Sequence, residues 1–179
     1  MGTIVGVECT DGVLLAGDRT LVEGGTVRST DRRRVFDFGD VGAAVVGRPS
    51  ATDQFERELD GEVRRYRTER DERLRIDPFA RVASSVAASL GAEVLVAARD
   101  DDGVPRLRSV RADGTVYEDR RAALGSGEPL AVGPLDAADP DLTLAEADEL
   151  VDEVFAVLAE RDPGTGDAVD RWRLRAGDV

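Results

Sequence analysis

The chain has 179 residues, 41% of them hydrophobic, so we expect a single domain over residues 1–179 with a core of its own. Its 37 acidic residues outnumber 24 basic ones, all of them arginine, and the formal net charge of −13 argues against binding to nucleic acid or to anionic membranes, which requires basic groups. The absence of histidine and the single cysteine exclude histidine-based catalysis, zinc sites built from histidine or clustered cysteines, and an internal disulfide bond.

The first 19 residues have the pattern of a β-hairpin. Val5, Val7 and Cys9 alternate with small or polar residues, residues 10–12 have turn chemistry, and residues 13–16 are an apolar return strand. Because Cys9 lies in an apolar strand, we expect a buried, inert thiol. Further strands are predicted at residues 26–29, 33–38 and 41–47.

Two amphipathic helices are predicted next. Ser50, with Asp53 three residues later, has a capping-box pattern, so we expect the first helix to begin at Ser50. Its apolar stripe consists of Phe55, Leu59, Val63 and Tyr66. Asp77 and Pro78 are typical of a helix cap and first helical residue, and Gly91 is typical of a helix end. The second helix is almost free of charge, so we expect it to be the more buried.

The second half of the chain repeats this order of strands and then helices. Strands are predicted at residues 93–99, 106–111 and 115–118, a short helix at 128–138, a helix opened by a capping box at Thr143 and Glu146, and a last strand at 168–175. Hairpin connections imply antiparallel sheets, and each helix pair needs a sheet face to cover. The sequence therefore predicts an α+β fold, a four-layer αββα sandwich of two antiparallel sheets.

The apolar stretches, the N-terminal pattern and the acidic composition of the sequence predict where the protein is located and in what solvent it works. No stretch approaches 18 uncharged apolar residues, and the start lacks the pattern of a signal peptide, so we expect a cytoplasmic protein without a membrane span. No motif for a cofactor or a metal is present. The excess of aspartate and glutamate, with lysine absent, predicts a halophilic protein from a high-salt cytoplasm.

Five blocks of the sequence resemble the proteasome β-type subunits and the bacterial HslV peptidase, in the order and at the spacing of that family. They are residues 3–7, 11–19, 45–47, 125–127 and 160–166. The resemblance covers nearly the whole chain. It implies the N-terminal nucleophile hydrolase fold, in agreement with the sandwich predicted above, and assembly into a ring, either a homo-oligomer or a ring with related subunits. It also implies a peptide as the possible substrate.

The resemblance assigns the functional positions of the family to single residues. The aspartate that supports the nucleophile falls on Asp18, and the glycine that supplies an amide of the oxyanion hole falls on Gly47. The supporting serine falls on Ser126, the second supporting aspartate on Asp162, and the serine that follows it on Thr165.

Two positions depart from the family pattern. The nucleophilic threonine falls on Gly2, and the essential lysine falls on Arg34, while Thr3 matches the residue after the nucleophile. Glycine has no hydroxyl, so no acyl-enzyme can form at that position. Arginine, with a pKa above about 12, stays protonated and cannot relay a proton. Both changes predict a catalytically silent pseudoenzyme with a structural or accessory role in an assembly linked to protein degradation.

An active enzyme is the alternative. Removal of Met1 and Gly2 would expose Thr3 as an N-terminal nucleophile for a threonine peptidase or amidase, with its own amine as the base. Thr3 would then lie one residue nearer to Asp18 than in the family pattern. In a strand this slip points a side chain to the opposite face, so a bulge or a register shift would be needed.

Other interpretations of the same residues remain open. Arg34 and the Gly47 amide could bind a small anion. Asp18 and Arg34 could form a buried ion pair, a structural remnant of the site. Ser126 between two glycines could be only a tight turn, and Asp162 before Pro163 could be ordinary helix-stop chemistry.

Overall fold

A computed structural model of the chain describes residues 1–177. The first half of the chain contains strands β1 (Thr3–Cys9), β2 (Gly12–Asp18), β3 (Leu21–Glu23), β4 (Thr26–Ser29), β5 (Val35–Asp37) and β6 (Gly42–Val46) and helices α1 (Pro49–Arg70) and α2 (Ile76–Leu90). The second half contains strands β7 (Glu93–Arg99), β8 (Pro105–Val110), β9 (Val116–Tyr117) and β10 (Arg121–Gly125), helices α3 (Glu128–Ala137) and α4 (Leu144–Arg161), and strand β11 (Val169–Arg175).

Two antiparallel sheets stack face to face in the centre of the molecule. One has the strand order β10-β1-β2-β11, and the other has the order β5-β6-β7-β8-β9. Strands β3 and β4 form a separate hairpin. Helices α1 and α2 cover the five-stranded sheet, while α3 and α4 cover the four-stranded sheet. The predicted four-layer αββα sandwich is confirmed.

Strand β1 is apolar on both faces because both faces are covered. Ile4 packs between the two sheets with Leu15 and Leu95, whereas its neighbour Val5 packs under α3 and α4 with Phe155. This alternation follows from the two-residue period of a strand. Residues with odd numbers in β1 therefore face the helices, and residues with even numbers face the second sheet.

The register of the four-stranded sheet brings several strand ends together. Thr3 pairs with Gly125 at the end of β10, and Asp18 at the end of β2 pairs with Val169 at the start of β11. The β1–β2 register runs without interruption from Ile4 to Cys9. The beginning of β1 thus lies beside the end of β2 and the loops that join β10 to α3 and α4 to β11.

The predicted starts of α1 and α2 were wrong by one or two residues. Helix α1 begins at Pro49, with Arg48 at the cap position and no side-chain cap, so the capping box expected at Ser50 and Asp53 is not formed. Proline has the backbone angle of a first helical residue, which places Ser50 inside the first turn. Similarly, α2 begins at Ile76, and Asp77 lies in its first turn rather than at its cap.

Other local predictions are confirmed. Thr143 and Glu146 form a reciprocal capping box at the start of α4, and Gly91 ends α2 in the left-handed conformation. Helix α2, which is almost free of charge, is indeed the more buried of the pair, with six buried residues out of 15 against five out of 22 in α1. Strands β3 and β10 were not predicted, since their sequences are short and poor in β-branched residues.

The thiol of Cys9 is half-buried rather than fully buried. Burial, reinforced by the nearby charge of Asp11, raises its pKa to about 12, so the thiol stays protonated and unreactive at neutral pH. None of the helices within residues 1–177 is both long and apolar enough to cross a membrane.

Candidate active site

Asp18 lies at the centre of the strand ends described above and is completely buried. Its Oδ1 accepts hydrogen bonds from the amide of Thr3 at 2.8 Å and from Nε of Arg34 at 3.2 Å. Its Oδ2 accepts from the amides of Thr20 at 2.9 Å and Gly166 at 3.0 Å. One carboxylate therefore ties together β1, the loop after β2 and the loop after α4.

Arg34 lies just before β5 and is 1% exposed. Besides its ion pair with Asp18, its Nη2 donates to the carbonyl of Thr20 at 2.5 Å. Burial lowers the pKa of the Arg34 guanidinium, and the charge of Asp18 opposes this effect. A guanidinium is not deprotonated in proteins, so Arg34 supplies a fixed positive charge and no base.

Gly2 has a backbone φ of +84°, in the region that favours glycine. A Cβ added at Gly2 would overlap Nε, Cζ and Nη2 of Arg34. The guanidinium thus occupies the volume that a side chain at position 2 would need. Glycine is favoured at position 2 for two reasons, the backbone conformation and the position of Arg34.

Thr3 points away from Arg34 and is completely buried. Its Oγ1 accepts from the amide of Gly127 at 2.9 Å and lies 2.6 Å from Oγ1 of Thr165. Oγ1 of Thr165 donates its one proton to Oδ2 of Asp162 at 2.5 Å, so the proton of the Thr3 hydroxyl is donated to Thr165. As an odd-numbered residue of β1, Thr3 faces the helices. The β1–β10 register is continuous from Thr3 to Val7, and the β1–β2 register from Ile4 to Cys9, so neither contains the irregularity that would turn Thr3 to the opposite face.

Asp162, at the end of α4, accepts three hydrogen bonds. Ser126 Oγ and Thr165 Oγ1 bind its Oδ2 at 2.6 Å and 2.5 Å, and the amide of Gly164 binds its Oδ1 at 3.0 Å. Burial alone would raise the pKa of Asp162, but these hydrogen bonds hold it below the ordinary value. Ser126 is exposed, and its amide donates to the carbonyl of Gly2 at 3.0 Å.

Gly47 follows the last residue of β6, in the other sheet. Within residues 1–177 no hydrogen bond joins it to the other six predicted site residues. A Cβ at Gly47 would meet Ala51 and Ala92 at ordinary contact distances. The structure therefore brings Thr3, Asp18, Arg34, Ser126, Asp162 and Thr165 into one connected network, and it leaves Gly47 outside that network.

Sequence reasoning missed three contributors to the network: Thr20, Gly127 and Gly166. Thr20 provides a carbonyl to Arg34 and an amide to Asp18. An amide bound to an aspartate two residues earlier is a common local pattern, so Thr20 had a detectable signal. Gly127 and Gly166 make long-range contacts through their backbone amides. Every residue except proline has such an amide, so the residue type does not predict these contacts.

The chemical groups around position 2 differ from those of an N-terminal nucleophile. Position 2 has no hydroxyl, and the nearby Arg34 is a permanent cation. The nearest hydroxyl along the chain, that of Thr3, is buried and has both a donor and an acceptor. In this structure the polar groups of Thr3, Asp18 and Arg34 are buried and hydrogen-bonded to one another or to neighbouring loops.

Comparisons with known proteins agree on one family. The family model described as Proteasome subunit matches residues 1–173. Proteasome subunit beta 1 of Ignicoccus hospitalis is 33% identical over 175 residues, which covers 94% of this chain and 87% of the relative. Proteasome subunit beta 2 of Pyrobaculum neutrophilum is 34% identical over 175 residues, covering 94% and 86%. Proteasome subunit beta 1 of Staphylothermus marinus is 30% identical over 180 residues, covering 97% and 84%. The chain therefore belongs to the proteasome subunit family, and the three relatives named above are β-type members.

Proposed function

We propose that this chain is a catalytically silent β-type proteasome subunit, a structural or accessory member of a ring that it forms with identical or related subunits. Proteasome β subunits are generally peptidases with an N-terminal threonine as the nucleophile. In this chain the corresponding position is Gly2. The family membership supports the assembly role, and the local geometry supports the loss of activity.

The observation that carries the proposal is the contact between Gly2 and Arg34. A missing hydroxyl alone would be a single substitution, open to reversal by one mutation. Here the guanidinium of Arg34 occupies the space of the missing side chain and is fixed by Asp18 and the Thr20 carbonyl. The nucleophile position therefore lacks a hydroxyl, and the side chain at the base position occupies the space that a side chain with a hydroxyl would need.

The alternative is an active enzyme that uses Thr3 after removal of Met1 and Gly2. One contact favours it. The Thr3 nitrogen, which would become the N-terminal amine, lies 2.8 Å from Oδ1 of Asp18, so the carboxylate could bind that amine. Three features oppose it. The Thr3 side chain is completely buried, its proton is directed to Thr165, and it faces the helices instead of Arg34.

Turnover of fluorogenic peptides tests the proposal. The native assembly and a Thr3→Ala variant, purified in the same way, would be compared for hydrolysis of peptides with acidic, basic and apolar residues before the cleaved bond. We expect no turnover above the Thr3→Ala background. Hydrolysis that Thr3→Ala abolishes, in a variant that still assembles, would overturn the proposal in favour of the active enzyme.

The assembly role has its own test. Native mass spectrometry would be recorded for the chain alone and after expression with a related β subunit of the same host. We expect a ring in at least one of the two samples. A monomer in both would contradict the assembly role without bearing on the silent site.

A further inference from the structure

A cleft of about 290 Å³ opens at the end of the sandwich opposite to Gly2. Its walls include Arg73 and Arg75 from the connection between α1 and α2, and Arg99 at the end of β7. Leu74 and Leu174 add apolar surface. We call these five residues the arginine cleft.

The arginine cleft is separate from the candidate active site. On β11, Leu174 pairs with Val13, whereas Val169 pairs with Asp18. Five residues of strand between the two positions correspond to about 17 Å. A ligand in the cleft therefore makes no contact with Asp18 or Arg34.

The charge of the cleft differs from that of the chain. Although the whole sequence has a formal net charge of −13, four arginines line the cleft, one of which, Arg173, is paired with Asp148. Within residues 1–177, neither Arg73 nor Arg75 forms an ion pair with a carboxylate. The one acidic residue among the lining groups, Asp40, is bound by Arg67. Within the described residues, Arg73 and Arg75 thus carry positive charge that no ion pair neutralises.

Two of the other three arginines are held in place by backbone carbonyls. Arg99 is 6% exposed and donates to the carbonyls of Gly103, Arg175 and Ala176 at 3.0, 2.6 and 3.4 Å. Arg75 donates through Nη1 to the carbonyl of Asp100 at 3.2 Å. Guanidinium groups fixed in this way lose little conformational freedom when a ligand binds. Arg73 is exposed and makes no hydrogen bond within the described residues, so it is available at the mouth.

We propose that the arginine cleft binds a small oxyanion ligand, a molecule that carries carboxylate or phosphate groups. Guanidinium groups bind such oxygens through paired, charge-assisted hydrogen bonds. Leu74 and Leu174, which are 2% and 6% exposed, would cover the apolar part of the ligand. The volume lies at the lower end of the range for ligand pockets, which favours a metabolite-sized anion over a peptide.

Isothermal titration calorimetry of the intact chain with citrate and with pyrophosphate tests the inference, at a constant ionic strength set with KCl. We expect saturable binding of at least one probe, with one site per subunit. Arg73→Gln should weaken it about tenfold, and Arg73→Gln with Arg75→Gln by about a hundredfold, since each removes hydrogen bonds to a charged ligand. Arg73 makes no contact that folding needs, so its single variant remains informative if the double variant fails to fold.

A charge-matched control separates a site from general electrostatic attraction. Arg28 and Arg57 are exposed and lie outside the cleft, and their exchange for glutamine removes the same charge. The control variant should bind the probe as the wild type does. Absence of saturable binding to the wild type, or equal weakening in the control and the cleft variants, would overturn the inference.

Discussion

Replacing Gly2 by alanine tests the steric relation between Gly2 and Arg34. The backbone at Gly2 has φ +84°, and a Cβ there would overlap the guanidinium of Arg34. The alanine variant must therefore adopt an unfavourable backbone conformation and also displace a buried charge. Displacement would weaken the bonds of Arg34 to Asp18 and to the Thr20 carbonyl.

The magnitude follows from these two effects. A non-glycine residue in the left-handed region costs about 1–2 kcal/mol. Loss of one hydrogen bond from a charged donor costs about 1.5–3 kcal/mol more. We expect Gly2→Ala to lower the free energy of unfolding by about 2.5–5 kcal/mol, a large part of the total for a domain of this kind.

The chain offers a matched control in Gly25, whose φ is +75° and whose added Cβ would meet nothing within 4 Å. Gly25→Ala reports the backbone effect alone, about 1–2 kcal/mol. Denaturant unfolding would be measured at constant KCl for both variants, each in the wild-type and the Arg34→Ala background. Alanine has no atoms beyond Cβ and so removes the Nε, Cζ and Nη2 atoms that the added Cβ would overlap. In that background the two alanine variants should lower the free energy of unfolding by the same amount. An equal cost of both variants in the wild-type background would refute the steric argument.

Three further predictions concern the rest of the molecule. The pKa of Asp162 is lowered in the folded state, so the ionised carboxylate stabilises the fold at neutral pH, and this stabilisation is lost as the pH falls from 3.8 through the pKa of the folded state. Asp162→Asn should therefore reduce the loss of unfolding free energy at acid pH. An unchanged dependence of the unfolding free energy on pH would contradict this. The thiol of Cys9 has a pKa raised to about 12, so a disulfide reagent at pH 8 should modify it only after denaturation, and rapid labelling of the folded chain would be evidence against burial. The net charge of −13 without lysine predicts a higher melting temperature in multimolar KCl than in low salt, and equal melting in both would reject the halophilic interpretation.

The architecture could be predicted because turns and periodicity act locally. The turn at residues 10–12, the apolar stripe of α1 and the capping box at Thr143 are each contained in a few consecutive residues. The starts of α1 and α2 were misplaced, since several adjacent residues there are acceptable caps and tertiary packing decides among them. Strand β10 has too few residues to give a periodic signal and is defined by its pairing with β1.

The candidate site could be predicted in part. The direction of the Thr3 side chain follows from strand alternation, which sequence alone supplies once the register is assumed. The overlap between Gly2 and Arg34 depends on the path of a long side chain and on the Thr20 carbonyl that receives it. The arginine cleft joins residues 73, 75, 99 and 174, which come together where the α1–α2 connection lies beside the ends of β7 and β11. Such contacts are properties of the tertiary structure.

The intact mass of the chain purified from its native host tests the central proposal most directly. The silent-subunit account predicts a mass that begins at Met1 or Gly2, because nothing in the site requires removal of Gly2 and its carbonyl holds the amide of Ser126. A mass that begins at Thr3 would contradict the account, since removal of Met1 and Gly2 would create the N-terminal threonine that the active enzyme needs.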